Sequence, residues 1–183
     1  MDNEFIEQKL LVLDLDETLI YAAETNLERE FDFIVGPFFV YKRPFLDEFL
    51  KFCFQNFEVA VWTSSTRNYA VKVVENIFDY RDPISFCWSR ERCTLSFDAE
   101  AGVNFYEKKI IKIKNRGYKL NSVIVVDDSP EKWRSSYGNL VRVKPFFGEI
   151  DDEELQNLAI YLKKLKEIKN IREFEKRNWQ DQI

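Results

Sequence analysis

The chain has 183 residues, 45% of them hydrophobic and 17 of them Phe, enough to bury one substantial core and too apolar for a disordered segment. Its formal net charge of −5 argues against a general nucleic-acid or anionic-membrane binder, which needs a basic surface. With 0 His, it excludes Ser-His-Asp and Cys-His catalysis, histidine metal sites and phosphohistidine chemistry, so acids, bases and nucleophiles must be Asp, Glu, Lys, Cys, Ser, Thr or Tyr.

The apolar run Leu10-Leu11-Val12-Leu13 reads as a buried strand, and Asp14-Leu15-Asp16-Glu17-Thr18 follows it. Side chains two apart on a strand point the same way, so Asp14 and Asp16 are expected side by side at the strand end. Two carboxylates so placed repel each other, and a hard cation such as Mg²⁺ would relieve the repulsion. Residues 30–35 and 38–42, joined by Gly36-Pro37, read as a β-hairpin. A helix is expected to open at Pro44, with Phe45, Phe49, Leu50 and Phe52 on its apolar face.

A second core strand, 58–62, runs into the hydroxyl-bearing Thr63-Ser64-Ser65-Thr66 and a helix to about residue 78. A third strand is expected at 84–88, then an irregular stretch over 90–103 and a basic helix over 107–116 ended by Gly117. A fourth strand, 122–126, ends in Asp127-Asp128-Ser129-Pro130, where Ser129 can cap a short helix with Pro130 at its first position. A fifth strand covers 140–143. The last helix starts with a capping-box-like Asp151-x-x-Glu154 and carries Leu155, Leu158, Leu162 and Leu165 inward. The tail from Lys163 to Trp179, with its mixed charges, reads as a solvated helix face.

Strands alternating with helices imply a mainly parallel sheet with ligands at the carboxyl ends of its strands. Asp14/Asp16, Thr63 and Asp127/Asp128 all fall at strand ends and are expected to converge on one edge. Each piece alone has a plain structural reading: a turn, a helix cap, a solvent-facing lysine. Together, paired carboxylates, a hydroxyl loop at a helix start, a lysine and a second acidic pair suit phosphoryl transfer to a carboxylate. Cys53, Cys87 and Cys93, with no Cys-x-x-Cys pair, read as reduced thiols of a cytosolic protein. The acidic, polar residues before Leu10 do not read as a signal peptide, and no apolar run is long enough to cross a bilayer.

In this order, the motifs resemble the haloacid dehalogenase superfamily, and more narrowly the small C-terminal-domain phosphatases, also called nuclear-LIM-interactor-interacting-factor-like phosphatases. The matching segments are Leu13-Asp14-Leu15-Asp16-Glu17-Thr18-Leu19, Lys42-Arg43-Pro44-Phe45-Leu46-Asp47-Glu48-Phe49-Leu50, Trp62-Thr63-Ser64-Ser65 with Tyr69-Ala70, and Val125-Val126-Asp127-Asp128-Ser129-Pro130. The resemblance implies Asp14 as nucleophile and Asp16 as acid/base. It implies Thr63, with Ser64 beside it, as the phosphoryl-binding loop. Mg²⁺ would be held by Asp14, Asp128 and the backbone carbonyl of Asp16, with Asp127 orienting the site or its lysine. Lys108 fits the family lysine best, with Lys109 and Lys112 as rivals.

The resemblance further implies a single α/β, Rossmann-like phosphatase domain over residues 1–183, with a core at about 10–165 and a β-hairpin flap at about 21–43. Helices would cover both faces of the mainly parallel sheet, and no large cap is expected. An open cleft would admit a phosphoserine or phosphothreonine in a protein or peptide. A phosphatase of small metabolites or polynucleotide ends is the alternative, and a catalytically silent binding module the alternative of a different class. The expected location is the cytoplasm, or the nucleus in a eukaryote.

Overall fold

In a computed structural model, residues 8–100 and 102–183 are described. The stretch before Leu10, read above as no signal peptide, lies largely outside them. The elements are β1 (Leu10–Leu13), β2 (Ile20–Ala23), β3 (Phe33–Val35), β4 (Phe38–Lys42), α1 (Leu46–Asn56), β5 (Glu58–Trp62), α2 (Arg67–Ile77), β6 (Cys87–Trp88), β7 (Thr94–Asp98), β8 (Val103–Glu107), α3 (Ile111–Lys114), β9 (Val123–Asp127), β10 (Leu140–Arg142) and α4 (Glu154–Lys166). Short 3₁₀ turns connect several of them.

The central sheet is 5-stranded, in the order β10-β9-β1-β5-β6, and all its pairings are parallel. Its middle strands are apolar on both faces because both are covered. Leu11, Leu13, Val59, Val61, Ile124 and Val126 face α1, α2 and α4. Leu10, Val12, Ala60, Trp62, Val123 and Val125 face the other way, onto Ile110, Ile113 and Trp133. There Trp62 stacks edge-on between Trp88 and Trp133, with ring centroids at 4.9 and 5.4 Å. The expected α/β architecture forms, with α1, α2 and α4 on one face and the short helix α3, with 3₁₀ turns, on the other.

Two small antiparallel sheets stand apart from the central one. The expected hairpin is the larger part of a 3-stranded sheet, β2-β4-β3, with β4 in the middle. Ile20-Tyr21-Ala22-Ala23 is too short to announce itself as a strand. It forms because Ile20 pairs with Lys42 as the chain leaves the Asp14–Thr18 loop. The second small sheet, β7-β8, replaces most of the irregular stretch and the front of the basic helix. Residues 103–107 pair with 94–98, and only Ile111–Lys114 is helical. Cross-strand pairing outweighs the helix preference of a Lys-rich run.

Other expected boundaries shift for local reasons. Phe45, at φ 63, takes a left-handed conformation before α1, so Pro44 is not the first helical residue. The strand expected at 84–88 is regular only at Cys87–Trp88. No capping box opens α4: the Glu154 carboxylate leaves the helix to accept from Lys144 N–H at 3.0 Å and Gln180 Nε2 at 2.8 Å. The tail is not a solvated helix face. After α4 it folds back in 3₁₀ turns and buries Ile171 and Trp179. Trp179 stacks on Tyr161 at 5.2 Å and donates Nε1–H to the Arg142 carbonyl at 2.7 Å. Among the described residues no helix is long and apolar enough to cross a membrane.

Trp179 thus clamps the tail to the edge strand β10 and to α4. Trp179→Ala is expected to lower the unfolding free energy by about 3–5 kcal/mol, as large aromatic truncations in cores do. Denaturant unfolding measures it; a loss of a few tenths would mean the tail contributes nothing to the core.

Candidate active site

Asp14 extends β1 by one residue, its N–H bonded to the Val126 carbonyl at 3.0 Å. That places it beside Asp127, the last residue of β9, with both side chains buried. Lys108, 0% exposed, enters between them, with Nζ 3.0 Å from Asp14 Oδ2 and 2.6 Å from Asp127 Oδ2. It is not on a helix: it follows the last residue of β8, and its N–H donates to the Lys132 carbonyl at 2.8 Å. The rival lysines lie elsewhere. Lys109 is 3.7 Å from Glu107, and Lys112 donates to the Arg92 carbonyl at 2.7 Å.

Asp127 is fully engaged. Its Oδ2 also accepts Trp133 Nε1–H at 2.7 Å, and its Oδ1 accepts Ser129 N–H at 2.9 Å. Asp128 accepts from Thr18 Oγ1 at 3.1 Å and Ser129 Oγ at 2.9 Å. Asp14 differs. Its Oδ2 faces Lys108 and, at 3.7 Å, Lys132, while its Oδ1 is buried with no hydrogen-bond partner among the described residues. Carboxylate oxygens of Asp14, Asp127 and Asp128 lie within 4.8 Å of one another. A hard cation with oxygen ligands fits this donor set, and the unpartnered Asp14 oxygen is the acceptor it would satisfy.

The Asp16 carboxylate is outside this cluster. It accepts from Ser65 Oγ at 2.6 Å and from the Tyr69 hydroxyl. The strand period lapses after Asp14, because the Leu15 carbonyl gathers the N–H groups of Thr18, Leu19 and Ile20 and coils the chain. Asp16 therefore turns toward the start of α2 instead of lying alongside Asp14. Thr63 is buried at the end of β5, and its Oγ1 accepts Ser65 N–H at 3.0 Å, with Ser64 half-buried beside it. Thr66, the residue before α2, makes no side-chain cap.

Burial, then the neighbouring Asp127, pushes the Asp14 carboxyl up to about 7, against the pull of Lys108 and Lys132. Burial would raise Asp127 as well, but Lys108, Lys132 and Trp133 outweigh it and hold Asp127 below the usual carboxylate range. Burial opposes the charge on Lys108, and the two carboxylates overcome it. Burial raises the Tyr69 hydroxyl, with Asp16 adding to the effect, so it stays protonated. Burial and Asp16 raise Glu17 to about 7.

Several of these residues escaped the sequence reading. Lys132 and Trp133 lie just past Asp127-Asp128-Ser129-Pro130, on a 3₁₀ turn whose tight period brings them back over the cluster. Arg43 is 1% exposed; it donates Nη1–H to the Thr18 carbonyl at 3.0 Å and grips Asp152 with Nε and Nη2, both at 2.8 Å. Its partner is too distant in sequence for any local pattern to show.

The arrangement is that of an α/β protein of the haloacid dehalogenase type. The structure superimposes on the fission yeast RNA polymerase II CTD phosphatase Fcp1, solved with beryllium fluoride bound, with a TM-score of 0.61 at 19% identity, over 88% of this chain and 50% of that one. The model of the NLI interacting factor-like phosphatase family matches residues 9–172, and the chain belongs to that family. It is 31% identical to CTD nuclear envelope phosphatase 1 of Xenopus tropicalis over 94% of this chain and 73% of that protein. It is likewise 31% identical to a probable C-terminal domain small phosphatase of Dictyostelium discoideum, over 90% of this chain and 53% of that one. The chain thus spans about half of Fcp1 and of the Dictyostelium relative. It is a phosphatase, a phosphoric monoester hydrolase, as the sequence resemblance implied.

The raised Asp14 carboxyl gives a signed pH dependence. The native chain keeps a proton that the unfolded chain releases near about 4, so in a metal chelator Asp14 should cost stability as pH rises from about 4 towards about 7. Denaturant unfolding of wild type and Asp14→Asn across that window should show the gap between them changing; parallel curves would refute the assignment.

Proposed function

We propose that the chain is a Mg²⁺-dependent phosphatase of phosphoserine and phosphothreonine in proteins, acting through a phosphorylated Asp14. The observation that carries this reading is the Asp14 carboxylate: one oxygen held by Lys108, the other buried and without a partner among the described residues. Asp14 and Asp128, with the backbone of Asp16, would hold the ion, which offsets negative charge on the carboxylate and the phosphoryl oxygens when bound.

In the first step an Asp14 oxygen attacks phosphorus, and the seryl or threonyl oxygen leaves with a proton from Asp16. In the second, Asp16 takes a proton from a water, whose oxygen attacks phosphorus and returns Asp14 as a carboxylate. Ser65 and Tyr69 hold Asp16 in place. Hydroxyls both donate and accept, so they can serve it with or without its proton. Lys108 and Lys132 stabilise the ionised Asp14 and, with Thr63 and Ser64, the phosphoryl group. Asp127 sets the position of Lys108.

The modest flap favours a phosphorylated protein segment over a small metabolite, and a net charge of −5 disfavours a polynucleotide end. Trp179 packing on α4 supports a single phosphatase domain over residues 1–183, its core reaching past residue 165. The name of the Xenopus relative favours the nucleus, and the nuclear envelope within it, over the cytoplasm expected from composition.

Asp14→Asn keeps the shape and removes the nucleophile. Its turnover of an aryl phosphate is expected to fall by about 10³ or more, and full activity would refute the mechanism. Chelation should abolish wild-type turnover and added Mg²⁺ restore it. Independently of activity, Mg²⁺ at about 100 times its dissociation constant should stabilise the wild type by about 2.7 kcal/mol, and Asp128→Asn should lose that shift. An equal shift in Asp128→Asn would remove Asp128 from the metal site.

A further inference from the structure

The β7-β8 hairpin presents two unlike faces. In an antiparallel pair, opposed residues project to the same side. Thr94, Ser96 and Asp98 share one face with Glu107, Phe105 and Val103. Arg134 ties that face to the body of the protein, lying over the Phe105 ring at 4.3 Å and donating to Asp98 at 2.7 Å; within the face Ser96 donates to Glu107 at 2.9 Å, and Val103, at the turn end, is exposed. The opposite face carries Leu95 against Tyr106 and Phe97 against Asn104. Leu95 and Phe97 are each 62% exposed, and Tyr106 is 37% exposed. Large apolar side chains gathered on one exposed face mark an interaction surface.

This strip joins the candidate site. Arg90 lies over the Tyr106 ring at 5.0 Å, which places it on the same face, and its Nε donates to the Ser64 carbonyl at 2.8 Å. Ser64 adjoins Thr63 in the phosphoryl-binding loop. A path therefore runs from the phosphoryl-binding loop, across the Arg90 cation, to Tyr106, Leu95 and Phe97. The same end of the hairpin leads, through Glu107, directly into Lys108.

We propose that this face of the hairpin docks apolar side chains that flank the phosphorylated residue of a peptide or protein-loop substrate. The proposal rests on the phosphatase reading above and adds a determinant of sequence preference. The strip suits such a chain, because Arg90 at its inner end attracts the anionic residue while Leu95 and, beside Asn104, Phe97 offer apolar contacts further out. An extended chain advances about 3.3 Å per residue, so a short segment leaving the phosphoryl loop reaches the strip, and a small metabolite does not.

The test uses the full chain, an aryl phosphate, and phosphoserine peptides of polar background in which a single leucine is moved through each flanking position. Wild type is expected to prefer peptides with leucine at one or two of these positions by about tenfold in kcat/KM. The double variant Leu95→Ser with Phe97→Ser should lose that preference while hydrolysing the aryl phosphate at the wild-type rate, and Phe97→Leu should keep most of it. A flat leucine scan in wild type, or a preference that survives in the double variant, overturns the docking proposal alone. Turnover of aryl phosphate without turnover of any phosphopeptide overturns the protein-phosphatase reading and the docking proposal together. Concentration-dependent dimerisation that the double variant abolishes, beside a flat scan, assigns the strip to a second copy and overturns it.

Discussion

The burial of Lys108 between Asp14 and Asp127 is the constraint around which the site is arranged. An ammonium and two carboxylates withdrawn from water each carry a desolvation cost of several kcal/mol, and their attraction offsets it only with good geometry and full hydrogen bonding. Asp127 meets that standard, with Lys108, Trp133 and the Ser129 N–H on its two oxygens. Asp14 does not, because one of its oxygens has no partner. The site keeps one carboxylate saturated and rigid and leaves the other with an unused, buried acceptor. Such an unpaired polar atom is costly in a stable core and useful where a ligand will complete it.

Much of the chain serves this arrangement. β8 must end where Lys108 enters, and the Lys108 N–H is fixed to the turn that carries Lys132 and Trp133. Trp133 links the cluster to the aromatic core beneath, through Trp62. The Asp14–Thr18 loop is held from the far side. Arg43 grips Thr18 while its carboxylate partner, Asp152, comes from the turn before α4, and the Phe146 N–H donates to the Glu17 carbonyl at 2.8 Å. Glu17, at φ 56, occupies a strained left-handed conformation that these contacts maintain. Because β2 and β4 flank the loop and Arg43 respectively, the flap is continuous with the residues that hold Asp14 in place.

The legible parts of this design were those written in local pattern. Buried strands with apolar residues on both faces, and acidic or hydroxyl residues at their ends, located Asp14, Thr63 and Asp127 before any geometry. Features set by pairing between distant segments were not legible. β2 exists because Ile20 finds Lys42, and residues 103–107 are strand because residues 94–98 lie opposite. The Lys-rich run after them looked helical, yet it is the preceding strand that delivers Lys108. The tail misled for a similar reason: its mixed charges suggested solvent exposure, whereas Ile171, Trp179 and the aliphatic part of Lys176 pack inward and Lys176 Nζ donates to the Phe174 carbonyl at 2.6 Å.

Two carboxylates two residues apart end in unlike surroundings, and that difference is what the proposed reaction needs. Asp14 sits buried between the Lys108 and Lys132 ammonium groups, which favour its ionised form. Asp16 sits half-buried, its two oxygens accepting from the neutral Ser65 and Tyr69 hydroxyls and, among the described residues, from no ammonium group. Had the strand run on in regular fashion, both side chains would have entered the same cluster, and a third buried charge would have competed for Lys108. The coil at Leu15 prevents this by turning Asp16 onto α2. The same backbone feature that defeats a simple two-residue period therefore separates the proposed nucleophile from the proposed acid/base.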